Sequence, residues 1–139
     1  MSKKRNALFL VRYMELDKLC CEKFGVSEGN GVIEYINRLS NAKTAAGRDE
    51  VLSHLIGYSN AYKRFHHNPR ALQTDHTVTR HDITWIIRFR SQIERKRDPI
   101  TRYLKHERRY AIRRKVNVAL WCIFLAALAV AIIALSLSA

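Results

Sequence analysis

Two adjacent histidines, His66 and His67, end a run that reads Tyr62-Lys63-Arg64-Phe65-His66-His67. An imidazole titrates near neutrality and can carry a proton to or from a reacting oxygen. Arg64, three residues before His67, adds a guanidinium that could hold an anion beside such a group. A plainer role competes: a histidine in the last turn of a helix suits the negative end of the dipole. RNA binding and an interface are further roles open to the pair. Asp75-His76 and His81-Asp82 add no metal or triad pattern, and His54 and His106 read as surface or packing residues. The cysteines add little. Cys20 and Cys21 are neighbours, Cys122 lies far away in an apolar run, and no CxxC occurs. Three free thiols in a reducing compartment are expected, with no metal and no cofactor. Cys122 reads as a small membrane residue, with an acyl attachment point as the alternative.

The elements that carry these residues divide at one boundary. All the charge lies before residue 116, in a chain of 139 residues with net charge +13. Residues 1–115 suffice for one domain and exclude a two-domain enzyme. Residues 116–138, VNVALWCIFLAALAVAIIALSLS, would make roughly 35 Å of helix, enough for a bilayer core of ~30 Å. The flanking Arg108, Arg109, Arg113, Arg114 and Lys115 place the preceding domain on the cytoplasmic side by the positive-inside rule. A tail-anchored, single-pass protein with a cytoplasmic N-terminus is therefore expected. Lipid is the first partner, since each basic side chain near an anionic surface contributes about 1 kcal/mol. Ala127, Ala131 and Ala134 recur on one face that Leu120 and Phe124 extend, a surface suited to close helix packing and a homo-oligomer. Alanine is also simply common in such helices.

Periodicity puts helices everywhere else. Phe9, Tyr13, Leu16, Cys20 and Phe24 line one face of a helix that stops at Gly25. Val32, Ile36 and Leu39 make a short second helix. Leu52, Leu55, Tyr58, Tyr62 and Phe65 form a third, entered at Gly47–Glu50 and stopped before Pro69. Residues 68–80 carry no period and read as a loop. Thr79 and Asp82 form a capping box, opening a helix with core face Ile83, Ile86, Ile87 and Ile93. Asp98-Pro99 is either a kink or a new start, after which a rod of ~40 residues, roughly 60 Å, has no breaker. No strand pattern competes, so the class is all-α. Residues 1–76 carry 12 basic and 8 acidic side chains, against 13 and 4 in residues 77–115. The basic surplus at Arg88, Arg90, Arg95, Lys96 and Arg97 could meet RNA phosphates or lipid.

The stretches LDKLCCEKFGVS, EYINRLSNA, GRDEVLSHLIGYSNAYKRFHHNPRAL, WIIRF and RKRDPITRYL resemble small bacterial helical domains of HEPN type, over roughly residues 8–105. The resemblance implies a helical bundle, often dimeric and in many members a metal-independent ribonuclease. Its signature is an Arg, a polar residue, and a His four to six residues after the Arg. The resemblance makes His67, with Arg64, the candidate catalytic pair of a ribonuclease: His67 falls on the catalytic His position, but Tyr62 replaces the Arg and Lys63 the polar residue. Arg64, two positions on, points ~200° away from Tyr62 around a helix. A degraded HEPN-like site on a membrane anchor is similar in architecture to membrane accessory proteins of type VI CRISPR systems. The expectation is a non-enzymatic effector of antiviral defence in the bacterial inner membrane. It would oligomerise through its tail and HEPN-like domain to form a pore or perturb the bilayer. RNA or an RNA-guided effector protein is a possible partner. A tethered ribonuclease or toxin using His67, and a membrane adaptor, are the alternatives.

Overall fold

The computed structural model describes residues 2–139, whose regular structure is entirely helical. Six helices follow one another: α1 (Ser2–Phe24), α2 (Gly31–Asn41), α3 (Arg48–His67), the single turn α4 (Ala71–Thr74), α5 (Arg80–Glu94) and α6 (Pro99–Ser138). The chain forms two compact units, one ending at Tyr103 and the other comprising Leu104–Ala139.

In the first unit α1 is the central helix, packing on α2, α4 and α5 and touching α3. Phe9, Tyr13, Leu16 and Cys20 are buried as their spacing requires. Phe9 meets Tyr58 and Phe65 of α3 edge-on, at ring separations of 5.8 and 6.0 Å, the arrangement that aromatic quadrupoles favour. Gly25, at φ 67°, ends α1 in the left-handed region that glycine enters without strain. Val32, Tyr35 and Leu39 form the buried face of α2, with Ile36 only half-buried.

The capping box forms as expected: Thr79 Oγ1 accepts from Asp82 N–H, and Asp82 Oδ2 accepts from Thr79 N–H at 2.7 Å. Two local expectations are corrected. Residues 68–80 are not all loop, because Asn6 of α1 donates to the carbonyls of Leu72 and Asp75 and closes the turn α4 between them. On α5 the fourth core residue is Phe89 rather than Ile87, which is 46 % exposed. Ile87 is ~100° around the helix from Ile86, while Ile83, Ile86, Phe89 and Ile93 keep to one stripe.

Pro99 starts a helix rather than kinking one. α5 ends in a Schellman turn, with Arg97 N–H on Gln92 O at 2.8 Å and Lys96 N–H on Ile93 O at 3.0 Å. Lys96 adopts φ 54° there. Asp98 then caps α6 with its carboxylate, and Pro99, which has no N–H to satisfy, takes the first helical position.

Candidate functional site

The last turn of α3 presents His66 and His67 to solvent. His67 Nδ1 is 2.7 Å from the carbonyl of Lys63. A carbonyl only accepts, so Nδ1 carries the proton and Nε2 is the ring position left open. His66 stacks on Tyr62 at 5.8 Å, and Tyr62 stacks in turn on Tyr13 of α1 at 4.6 Å. Tyr62 is thus a half-buried packing residue. Arg64 is engaged elsewhere: its Nε pairs with Asp75 at 2.9 Å and its Nη2 donates to Thr77 at 2.9 Å. Burial alone would raise the Asp75 pKa. Hydrogen bonds from Thr77 and the Arg64 charge outweigh it and hold that carboxyl below its usual range. Arg64 therefore ties the end of α3 to the segment after α4, although at three positions' spacing it neighbours His67 around the helix.

A second histidine centre was missed. His54 Nδ1 lies 3.1 Å from Tyr58 Oη, and Tyr58 Oη lies 3.1 Å from Asp82 Oδ1. The ionised carboxylate only accepts, so Tyr58 donates to Asp82 and His54 Nδ1–H donates to Tyr58. Burial, then the Asp82 charge, pushes the Tyr58 hydroxyl well above its ordinary pKa and keeps that proton in place. The imidazole also stacks on Trp85 at 4.6 Å. The sequence signal was available in part, since His54 and Tyr58 are four apart and Asp82 was already placed in the capping box. What it lacked was the packing of α5 against that face of α3.

The basic surplus separates into paired and unpaired groups. Arg90 is committed, bridging Glu15 of α1 at 2.9 Å and Glu94 at 3.2 Å. Glu15 responds with a lowered pKa, chiefly through its hydrogen bond from Arg12. Arg88, Arg95, Lys96 and Arg97 are exposed. In the second unit Arg108, Arg109, Arg113, Arg114 and Lys115 are all exposed. No cluster of three or more His, Cys, Asp or Glu side chains suited to a metal occurs among the described residues.

One helix among the described residues is long and apolar enough to cross a bilayer, and none of its apolar window is buried. Leu120, Trp121, Phe124, Val130 and Leu135 are each more than half exposed. Leu120, Phe124 and Ala127 border one shallow groove along the helix together with Asn117, Trp121 and Ile123. Ala131 and Ala134 are exposed further along. Cys122 is exposed, while Cys20 and Cys21 are buried, and all three are free thiols. Burial lifts the Cys20 thiol to about 12.

These features define an all-helical protein with a buried core in its first unit and one candidate membrane span. Residues 7–120 match the DUF6548 family, a family of unknown function, and the chain belongs to it. No curated protein and no solved structure matches the chain.

Proposed function

We propose that this protein is a single-pass membrane effector, not an enzyme, that assembles through its apolar helix and perturbs the bilayer. The observation that carries the reading is the uncovered apolar end of α6, where large side chains such as Trp121 and Leu135 are 66 % and 70 % exposed. Water penalises such a surface by roughly 25 cal/mol per Å2, so it belongs in lipid or against other copies. The alanine face of Ala127, Ala131 and Ala134 supports close approach of neighbouring helices. The basic run from Arg108 to Lys115 supports a cytoplasmic first unit at a bacterial inner membrane. Against ribonuclease chemistry, Tyr62 fills the signature Arg position and Arg64 is spent on Asp75. A role in antiviral defence follows from the HEPN-like resemblance together with the anchor, with an RNA-guided effector as partner.

The test is membrane potential in cells expressing the full chain with its natural activator. Depolarisation is expected, and Ala127→Leu/Ala131→Leu should weaken it while membrane insertion persists. The mass of the detergent-extracted particle should exceed that of a dimer. An unperturbed potential at high expression refutes the proposal. Metal-independent RNA cleavage lost in His67→Ala would put the ribonuclease in its place.

A further inference from the structure

One strongly charged surface of the first unit is concave. Arg88, Ser91 and Gln92 share one face of α5, and Arg95, its C-cap residue, continues that face. Arg97 from the following turn and Arg102 from the start of α6 complete a groove of about 450 Å3. Its lining contains four guanidiniums, one hydroxyl, one carboxamide and no carboxylate. None of the four arginines makes an ion pair among the described residues, whereas Arg90, between them in sequence, makes two. Like charges gathered without a counter-charge raise the local potential, and a concave wall concentrates it.

The backbone beneath the groove is fixed on both sides. The Schellman bond from Arg97 N–H to Gln92 O holds the turn against the end of α5. On the other side the fully buried Asp98 receives Tyr35, Thr101 and Lys23, and so locks the start of α6. Arg95, Arg97 and Arg102 therefore project from anchored positions, which lowers the ordering cost of binding.

We propose that this groove binds a compact anion with adjacent phosphates, a diphosphate or triphosphate group, carried either by a soluble nucleotide or by a lipid headgroup. All the cationic residues lining it are Arg, whose planar fork grips phosphate oxygens in pairs. Ser91 and Gln92 add neutral donors on the same face. Single-stranded RNA fits less well. It binds along extended basic tracks with aromatic side chains for the bases, and no aromatic residue lines this groove. The inference is independent of what the apolar helix does.

The experiment uses the full chain in discs of zwitterionic phospholipid, titrated calorimetrically at about 0.15 M salt. Inorganic tripolyphosphate should bind with one site per chain, pyrophosphate more weakly, and orthophosphate and sulfate at least about tenfold more weakly. Each lost charge-assisted bond is worth about tenfold, so Arg95→Gln/Arg102→Gln should cost about a hundredfold. Arg90→Gln, outside the groove, should leave affinity within about twofold. The groove variant should keep the parent's urea midpoint, and Arg90→Gln, which gives up two half-exposed ion pairs, should lower it only slightly, which separates lost binding from lost folding. ATP displacing tripolyphosphate identifies a soluble source. Occlusion of the site by a polyprenyl diphosphate placed in the disc identifies a lipid source. Absent binding, equal binding of sulfate, or equal losses in the Arg90 and groove variants overturns the proposal. So does a short single-stranded RNA that outcompetes tripolyphosphate through the same arginines, which would make the groove an RNA surface.

Discussion

Replacing Asp98 by Ala strips a fully buried carboxylate from four donors at once. Tyr35 Oη–H reaches it at 2.8 Å, Thr101 Oγ1–H at 2.6 Å, Thr101 N–H at 3.3 Å and Lys23 Nζ at 3.5 Å. Loss of the cap on α6 costs about 1 kcal/mol. The Tyr35 hydroxyl, on a residue with no exposure, is left without this partner at about 1–3 kcal/mol. Lys23 suffers less, because it keeps its 2.7 Å bond to Thr101 and its side chain is 22 % exposed. The total of about 3–5 kcal/mol matches the cost of breaking a buried charge network from one side.

Tyr35→Phe alone should cost about 1.5–3 kcal/mol, the worth of a hydrogen bond to a charged acceptor. In the Asp98→Ala background the same change removes a stranded hydroxyl and should be neutral or stabilising. The two substitutions are thus strongly non-additive, with a coupling of about 2 kcal/mol. Burial and the Asp98 charge push the Tyr35 pKa far up, so the donor keeps its proton at any pH that the fold survives. The assay is urea unfolding of the full chain in detergent, followed by Trp85 fluorescence in a Trp121→Phe background. Additivity within about 0.5 kcal/mol, or an Asp98→Ala cost below about 1 kcal/mol, refutes the network reasoning.

Gly31→Ala should destabilise the same transition by about 1–3 kcal/mol or more, because its Cβ would overlap the Asp17 carbonyl and lie 2.7 Å from Cys21 N, both α1 backbone. Gly57→Ala, where a Cβ meets open space within α3, should stabilise by about 0.5–1 kcal/mol on the same melts. Lys96→Gly should also stabilise, by up to about 1 kcal/mol, since it relieves a side chain held at φ 54°. Asp75 has a folded pKa below its unfolded value, so its contribution is complete above about pH 4 and is lost as pH falls through the folded value. Asp75→Asn should therefore flatten the acid limb of urea midpoint against pH, and an unchanged limb would show that Arg64 and Thr77 do not hold the carboxylate.

How far the fold was legible follows from where its polar groups bond. Helices α1, α3 and α5 announce themselves because one apolar stripe each faces the core, and the Thr79 capping box needs only residues three apart. Apolar spacing could not have found α4, a single turn whose carbonyls are satisfied by Asn6 from 66 and 69 residues away. The site was legible to a similar depth. His67 and the apolar helix stand out as residue types, but the diversion of Arg64 to Asp75 depends on a segment that reads as structureless. The His54–Tyr58–Asp82 chain crosses two helices, and only its first step is local.

Three of the buried polar side chains, Asn6, Asp17 and Asp98, fall at joints of this bundle, while Ser59 within α3 pairs with Tyr13. Asn6 closes α4. Asp17, only 8 % exposed, accepts the N–H groups of Gly29 and Val32 at 2.9 Å each and so caps α2 from another helix. The residue before α2, Asn30, makes no side-chain cap of its own. Asp98 caps α6 while binding α1 through Lys23 and α2 through Tyr35. A helix end buried without partners would strand several backbone donors at about 1–3 kcal/mol each. These side chains remove that cost and fix the order in which helices meet, because each bond exists in one arrangement only. Gly31 shows the same constraint from the steric side, since Asp17 can reach the start of α2 only where no Cβ intervenes. Loss of any one of these residues should therefore loosen a joint before it empties the core. Amide exchange should report that order, with protection lost first at Gly29–Val32 in Asp17→Ala and at Thr101 in Asp98→Ala, while Leu16 and Leu55 amides stay protected.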